Sequence, residues 1–154
     1  EGRTQALYIA SCCLPYLRSG LRPGPDLQTM ADTIRDNAAG YRVLLSDQER
    51  LLATSGCEIG DGALPDFMAA SMAENHVSVY RHPAKARFLF ALSQDDTIAA
   101  PLKCGEKVIG CMALLLDQTQ LHLAKSDIRF TETMAGYFST ILELNNLDRE
   151  IALR

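Results

Sequence analysis

With 47% apolar and 22% charged residues, this chain of 154 has the balance of an ordinary globular domain, long enough to bury a core without staples. Its net charge is −4, and the basic residues are scattered apart from the local group Arg81, Lys85 and Arg87, which argues against a nucleic-acid-binding face. The longest strongly apolar run, Val108–Leu116, is less than half the roughly 20 residues of a membrane span, and no signal-peptide pattern opens the chain.

Leu7, Ala10, Leu14, Leu17 and Leu21 follow a 3-4-3-4 spacing, the seam of a helix that packs on another helix. Pro15 interrupts that run, removes a backbone hydrogen bond and predicts a kink near Ser11. Arg22-Pro23-Gly24-Pro25 ends it. Asp26 is the expected N-cap of a second helix, Leu27 to about Ala39, with Leu27, Met30, Ala31, Ile34 and Ala38 on one face and Gly40 as its stop. Tyr41–Ser46 and Arg50–Thr54 read as two strands around the turn Asp47-Gln48-Glu49.

Ser55–Gly62 is a polar, Gly-rich loop, and Pro65 opens a third helix to about Glu74. Val77–Tyr80 reads as a short strand, Arg81–Ala86 as a basic loop and Phe88–Leu92 as another strand. The clearest unit comes next. Ile98–Lys103 and Val108–Leu116 are apolar strands joined by Gly105-Glu106, the signal of a short hairpin. A long helix then runs from Ser126, its expected N-cap, to the end, with Asp127 suited to the positive helix terminus. Met134, Phe138 and Ile141 form the stripe expected to face the core, and Leu144, Leu147 and Ile151 continue at the same spacing. The order of elements predicts an α+β domain with a central antiparallel sheet of five to six strands, helices on its faces and long helices at both ends. The chain begins without Met and both ends read as helix, which suggests a piece of a longer protein.

Five cysteines, Cys12, Cys13, Cys57, Cys104 and Cys111, show no metal spacing and no Cys-x-x-Cys pair. If Gly105-Glu106 is a two-residue turn, Cys104 pairs with Lys107 and Cys111 lies on the order of 13 Å further along, too far for a disulfide. All five are expected as free thiols in a reducing compartment. Cys57 sits beside Glu58 and Asp61, whose charges would raise its pKa, so an inert thiol is expected there. The histidines, His76, His82 and His122, form no ligand cluster, and neither a metal site nor a cofactor is expected.

Several segments carry a family resemblance. Ala100-Pro101-Leu102-Lys103, the early Gly110 of the next strand and the closing amphipathic helix resemble the C-terminal half of a GAF domain, a small-molecule-sensing and dimerising module. Leu14-Pro15-Tyr16-Leu17-Arg18-Ser19-Gly20-Leu21 is similar to the segment that opens the GAF domain of LytS/YehU-type sensor histidine kinases. Phe138-Ser139-Thr140-Ile141-Leu142-Glu143-Leu144 is similar to the segment that closes it. The resemblance spans most of the chain and implies a single GAF-like sensory domain over 1–154, with 1–21 as incoming linker helix and 126–154 as outgoing helix. The parent would be a bacterial membrane-bound two-component kinase, with this domain on the cytoplasmic side. Two departures matter. Ser93-Gln94-Asp95-Asp96 stands where many relatives carry a Cys/His loop, so no metal or redox role is carried over. Neither the phosphoacceptor motif nor a Gly-rich nucleotide box is present, so no enzymatic activity is expected of the chain itself.

Tyr80, Arg81, His82, Arg87, Phe88 and Phe90, with Tyr41, are the candidate ligand-binding residues: basic groups for an anionic small molecule and aromatic walls around it. His82 is also placed to titrate near neutral pH. The candidate dimer and relay residues are Leu7, Leu14, Leu17 and Leu21 at one end and Leu144, Leu147 and Ile151 at the other. The sequence leaves open whether the first helix pairs between chains or packs on its own sheet. For the C-terminal stripe a second copy of the helix is the simplest cover, since apolar residues that outrun a domain need a partner. Expected partners are thus a second copy, the kinase core and membrane region of the parent and an unknown small molecule, with no nucleic acid. Rival readings are the ligand-binding domain of a transcriptional regulator and a GAF-fold reductase of free methionine sulfoxide. The latter would need an attacking and a resolving thiol near one pocket.

Overall fold

A computed structural model of the chain describes residues 2–38, 40–80, 96–116 and 124–152. The strands are β1 Tyr41–Asp47, β2 Leu51–Ser55, β3 Ser78–Tyr80, β4 Thr97–Cys104 and β5 Lys107–Leu116. Among the described residues they form one antiparallel sheet in the order β2-β1-β5-β4-β3. The helices are α1 Gly2–Cys13, α2 Pro25–Asn37, α3 Asp66–Glu74 and α4 Lys125–Ala152. The strand expected over Phe88–Leu92 and the basic loop before it lie outside the described residues.

Strand alternation separates two cores. Val43, Leu45, Ala100, Leu102, Met112 and Leu114 turn to the side packed by α1, α2 and α4. Leu44, Ala99, Cys111, Ala113 and Leu115 turn to the side covered by α3. The hairpin of β4 and β5 has the expected register, with Cys104 opposite Lys107. Gly105, at φ +65°, is the turn residue that takes a positive φ, the sign pattern of a type II′ turn. A register shift follows, leaving Ile109 as an extra residue between Val108, opposite Lys103, and Gly110, opposite Leu102. The turn between β1 and β2 is closed by Asp47, whose Oδ1 accepts from the backbone N–H of Glu49 and Arg50 at 2.8 and 2.7 Å.

Three helix boundaries differ from expectation. Pro15 does not kink a continuous helix. The α-helix ends at Cys13 and tightens into a 3-10 turn, Leu14–Leu17, with Pro15 in its first positions, where a missing N–H costs nothing. Asp26 is not the cap of α2. Gly24 holds that position, Pro25 opens the helix, and Asp26 sits in the first turn with its charge near the positive end. Ser126 is not the cap of α4 either. Asp127 Oδ2 accepts the Ala124 N–H at 2.8 Å while the Asp127 N–H returns to Ala124 O at 3.0 Å, a reciprocal cap one turn long.

Candidate functional site

Of the residues proposed to bind a ligand, Arg81, His82, Arg87, Phe88 and Phe90 lie outside the described residues, and Tyr80 and Tyr41 face opposite sides of the sheet. Tyr80 belongs to the α3 side. Its ring meets Phe67 edge-on, with centroids 5.6 Å apart at 64°, and its hydroxyl donates to Phe67 O at 3.3 Å. Tyr41 packs on the α4 side. It stacks on Phe130 at 6.1 Å, and its hydroxyl donates to the Asp127 carboxylate. Burial pushes the Tyr41 phenol well above its ordinary range, and the neighbouring Asp127 adds to the shift. The two tyrosines therefore do not share one pocket. Tyr41 ties β1 to the first turn of α4.

The five thiols are free. Cys111 is fully buried on the α3 side, and burial pushes its thiol up to about 12. Cys13, buried among α1, α2 and α4, is likewise raised to about 12. Cys104 turns to α4 instead, its Sγ donating to Leu142 O at 3.9 Å. The surroundings of Cys57 correct the sequence reading. Arg35 and Arg42 lie close enough to favour its thiolate, and burial, not acidic neighbours, is what raises its pKa. Both guanidinium-bearing chains crowd Gly56, where an added Cβ would stand 2.8 Å from Arg35 Nε and 2.9 Å from Arg42 Cγ. On the α3 side, Ser71 Oγ bonds to His76 O at 2.9 Å and Ala99 O at 3.2 Å, which fixes α3 to β4 and to the start of β3. Among the described residues no group of three or more His, Cys, Asp or Glu is placed to hold a metal ion, and no helix is long and apolar enough to cross a membrane.

The end helices divide their apolar residues between core and solvent. In α1 the buried face is Ala6, Ile9, Ala10 and Cys13, continued by Leu17. The 3-4-3-4 seam therefore splits: Ala10 and Leu17 are core, Leu21 is half-buried against it, and Leu7 and Leu14 are 50% and 42% exposed. In α4, Met134 and Phe138 are fully buried, Leu142 joins them and Ile141 is half-buried. Leu144 and Leu147 are 56% and 46% exposed. Asn145 Nδ2 donates to Leu17 O at 3.1 Å, pinning α4 to the end of the entry segment before the helix continues to Ala152. The Ile151 side chain lies outside the described ones.

No family model matches the chain, and no curated protein does. Solved structures do. The GAF domain of a phosphoenolpyruvate-protein phosphotransferase from Coxiella burnetii is similar over 99% of both chains, with a TM-score of 0.68 and 15% identity. The A. aeolicus nlh2 GAF domain in an inactive state is similar over 97% of this chain and 99% of its own, at TM-score 0.67 and 12% identity. The chain has a GAF fold. Free methionine-R-sulfoxide reductase from Neisseria meningitidis, solved with its substrate, shares the fold at TM-score 0.67 and 13% identity, over 96% of this chain and 91% of its own. The fold is thus shared by GAF domains and by an enzyme, and the function has to come from the side chains.

Sequence reasoning missed a cleft between α4 and the outer side of β4, which gathers Asn75, Lys103, Glu132 and Ser139. These residues come from three separate elements, so no spacing along the chain announces them.

Proposed function

We propose that this GAF fold is a non-catalytic sensory and relay module, the cytoplasmic part of a membrane-bound sensor histidine kinase of the LytS/YehU type, which self-associates through its end helices. The observation that carries the reading is the exposed leucine pairs on the helices at the two ends of the chain. Leu7 on α1 and Leu14, the first residue of the 3-10 turn that follows it, are seven residues apart on the entry segment, and Leu144 and Leu147 share one face of α4. Covering a half-exposed leucine gains on the order of 1 kcal/mol, so four per subunit supply a modest association. Two long-range bonds make α4 a lever. Tyr41 to Asp127 holds its start to the sheet, and Asn145 to Leu17 holds its far part to the entry segment. A movement of the entry helix is thereby passed to the outgoing one. A bound small molecule biases the positions only through a difference in affinity for them.

Thiol placement favours this reading over sulfoxide reduction. Cys104 and Cys111 face opposite sides of the sheet, and the buried Cys111 thiol is held protonated at neutral pH. Sedimentation equilibrium tests the proposal. The parent chain is expected to associate with rising concentration, and Leu144→Asp with Leu147→Asp to remain monomeric with an unchanged circular dichroism spectrum. Equal association of the double variant would overturn the assignment of α4.

A further inference from the structure

The outward face of α4 is graded in size along its length. Gly136, Thr140, Leu144 and Leu147 are all exposed and follow one another at spacings of four, four and three, so they lie on one stripe of the helix. The first two are small and the last two are large. Glycine inside a helix is less favourable than alanine, yet a Cβ built on Gly136 would meet nothing within 4 Å. Packing among the described residues therefore does not require glycine there. Thr140 donates its hydroxyl back to Gly136 O at 3.1 Å, so these four side chains present no unsatisfied polar group. The neighbouring Glu143 reaches the other way, with Oε2 3.6 Å from where a Cβ on Gly105 would stand, at the tip of the β4–β5 hairpin.

A stripe that is small at one end and large at the other is complementary to itself in one direction only. In a parallel pair of helices each residue meets its own counterpart. Leu144 and Leu147 would then hold the axes towards the wide end of the 8–10 Å range, and the two Gly136 residues would face a gap. In an antiparallel pair, a two-fold axis at the level of Leu142 sets Gly136 against the partner's Leu147 and Thr140 against the partner's Leu144, and the reverse. Every large side chain then lies over a small residue, and the helices approach evenly along the stripe.

The flank of the stripe fits the same axis. Tyr137 and Asp148 each follow by one residue the pair Gly136 and Leu147, so the antiparallel arrangement brings the half-buried Tyr137 to the partner's Asp148. Among the described residues neither of these side chains has a hydrogen-bond partner. A phenol and a carboxylate are a matched donor and acceptor.

We propose that α4 pairs with a second copy of itself in antiparallel, Leu147 and Leu144 of each copy seated on Gly136 and Thr140 of the other. This rests on the self-association proposed above and adds its direction and its contacts. The stripe is about 16 Å long and one helix, about 10 Å, wide. That footprint is well short of the roughly 800 Å² per partner of a standard interface, so the pair forms only at high protein concentration. The two outgoing ends then point in opposite directions, and the proposed relay would have to part this pair to bring them together.

The test is a mixed-label NMR sample of the whole chain at high concentration, one copy deuterated with protonated amides and the other carrying protonated leucine methyl groups. NOEs are expected from the Leu147 methyl groups of one copy to the Gly136 amide of the other. Within one helix these residues stand about 16 Å apart, beyond the reach of an NOE, so the signal reports contact between copies alone. In sedimentation equilibrium Gly136→Leu is expected to weaken association about tenfold or more, because its side chain takes the space of the partner's Leu147, with the circular dichroism spectrum retained. Association of the parent without the Leu147–Gly136 NOE, or equal association of Gly136→Leu, would overturn the antiparallel pair and leave self-association standing. A parent that stays monomeric at high concentration would overturn both.

Discussion

Gly110 is where the sheet is least able to accept a larger residue. It pairs with Asp47 of β1 and Leu102 of β4, and a Cβ added there would stand 2.3 Å from Ser46 O and 2.4 Å from Leu21 Cδ1. Leu21 is the end of a flexible side chain and can turn away. The Ser46 carbonyl cannot, because it belongs to the backbone of a strand paired on both sides. Relieving that overlap takes about 1 Å of strand movement, and overpacking of this kind costs about 1–3 kcal/mol, with Gly110→Ala placed at the upper end. At this chain length about 3 kcal/mol corresponds to a fall in Tm of roughly 6–12 °C. Gly136→Ala is the internal control: with open space around its Cβ it should instead stabilise by about 0.5–1 kcal/mol. Urea unfolding followed by far-UV circular dichroism measures both, as shifts in midpoint at constant slope. A Gly110→Ala protein within about 0.5 kcal/mol of the parent would refute the reasoning.

Two further outcomes follow from the buried groups. Cys13 and Cys111 are held up to about 12 in the fold, so their contribution is complete below about pH 9 and is lost as pH rises from there towards 12, because the unfolded chain ionises first. Each thiol then lowers stability by about 1 kcal/mol per pH unit, and Cys111→Ala should flatten the parent's decline between pH 9 and 10 by that amount; identical slopes would contradict it. Tyr41→Phe deletes a half-buried hydrogen bond to a carboxylate and should cost about 1–2 kcal/mol, with Asp127→Ala non-additive in a double-mutant cycle by about 1 kcal/mol; strict additivity would mean that the two side chains do not act together.

What could be read from the chain was what neighbours in sequence determine. The β4–β5 hairpin was legible because two apolar runs joined by Gly105-Glu106 place both strands and the pairing of Cys104 with Lys107 without outside help, and Gly110 was visible as an unusual residue in an apolar run; the register shift beyond Lys103 was not visible. Helix starts were less so. Asp26 and Ser126 are good caps by residue type, but Pro25 pre-sets the first turn of α2 and Asp127 caps α4 from inside, and both preferences outrank the local cue. Contacts across long separations were invisible. The partners of Tyr41 are Asp127 and Phe130, the charges around Cys57 come from Arg35 and Arg42, and the α1 seam divides between core and solvent only once α2 and α4 are in place. The same holds for the cleft, which no single element contains.

The central claim is that the exposed end of α4 is a surface for a second copy of the chain. Hydrogen exchange of the amides from Leu144 to Ala152, measured at low and high protein concentration, tests it most directly. The account predicts slow exchange that appears only at high concentration and disappears in Leu144→Asp with Leu147→Asp, since an unpartnered helical extension gains little from folding alone. Exchange in this segment that is independent of concentration, or unchanged by the double substitution, would contradict it.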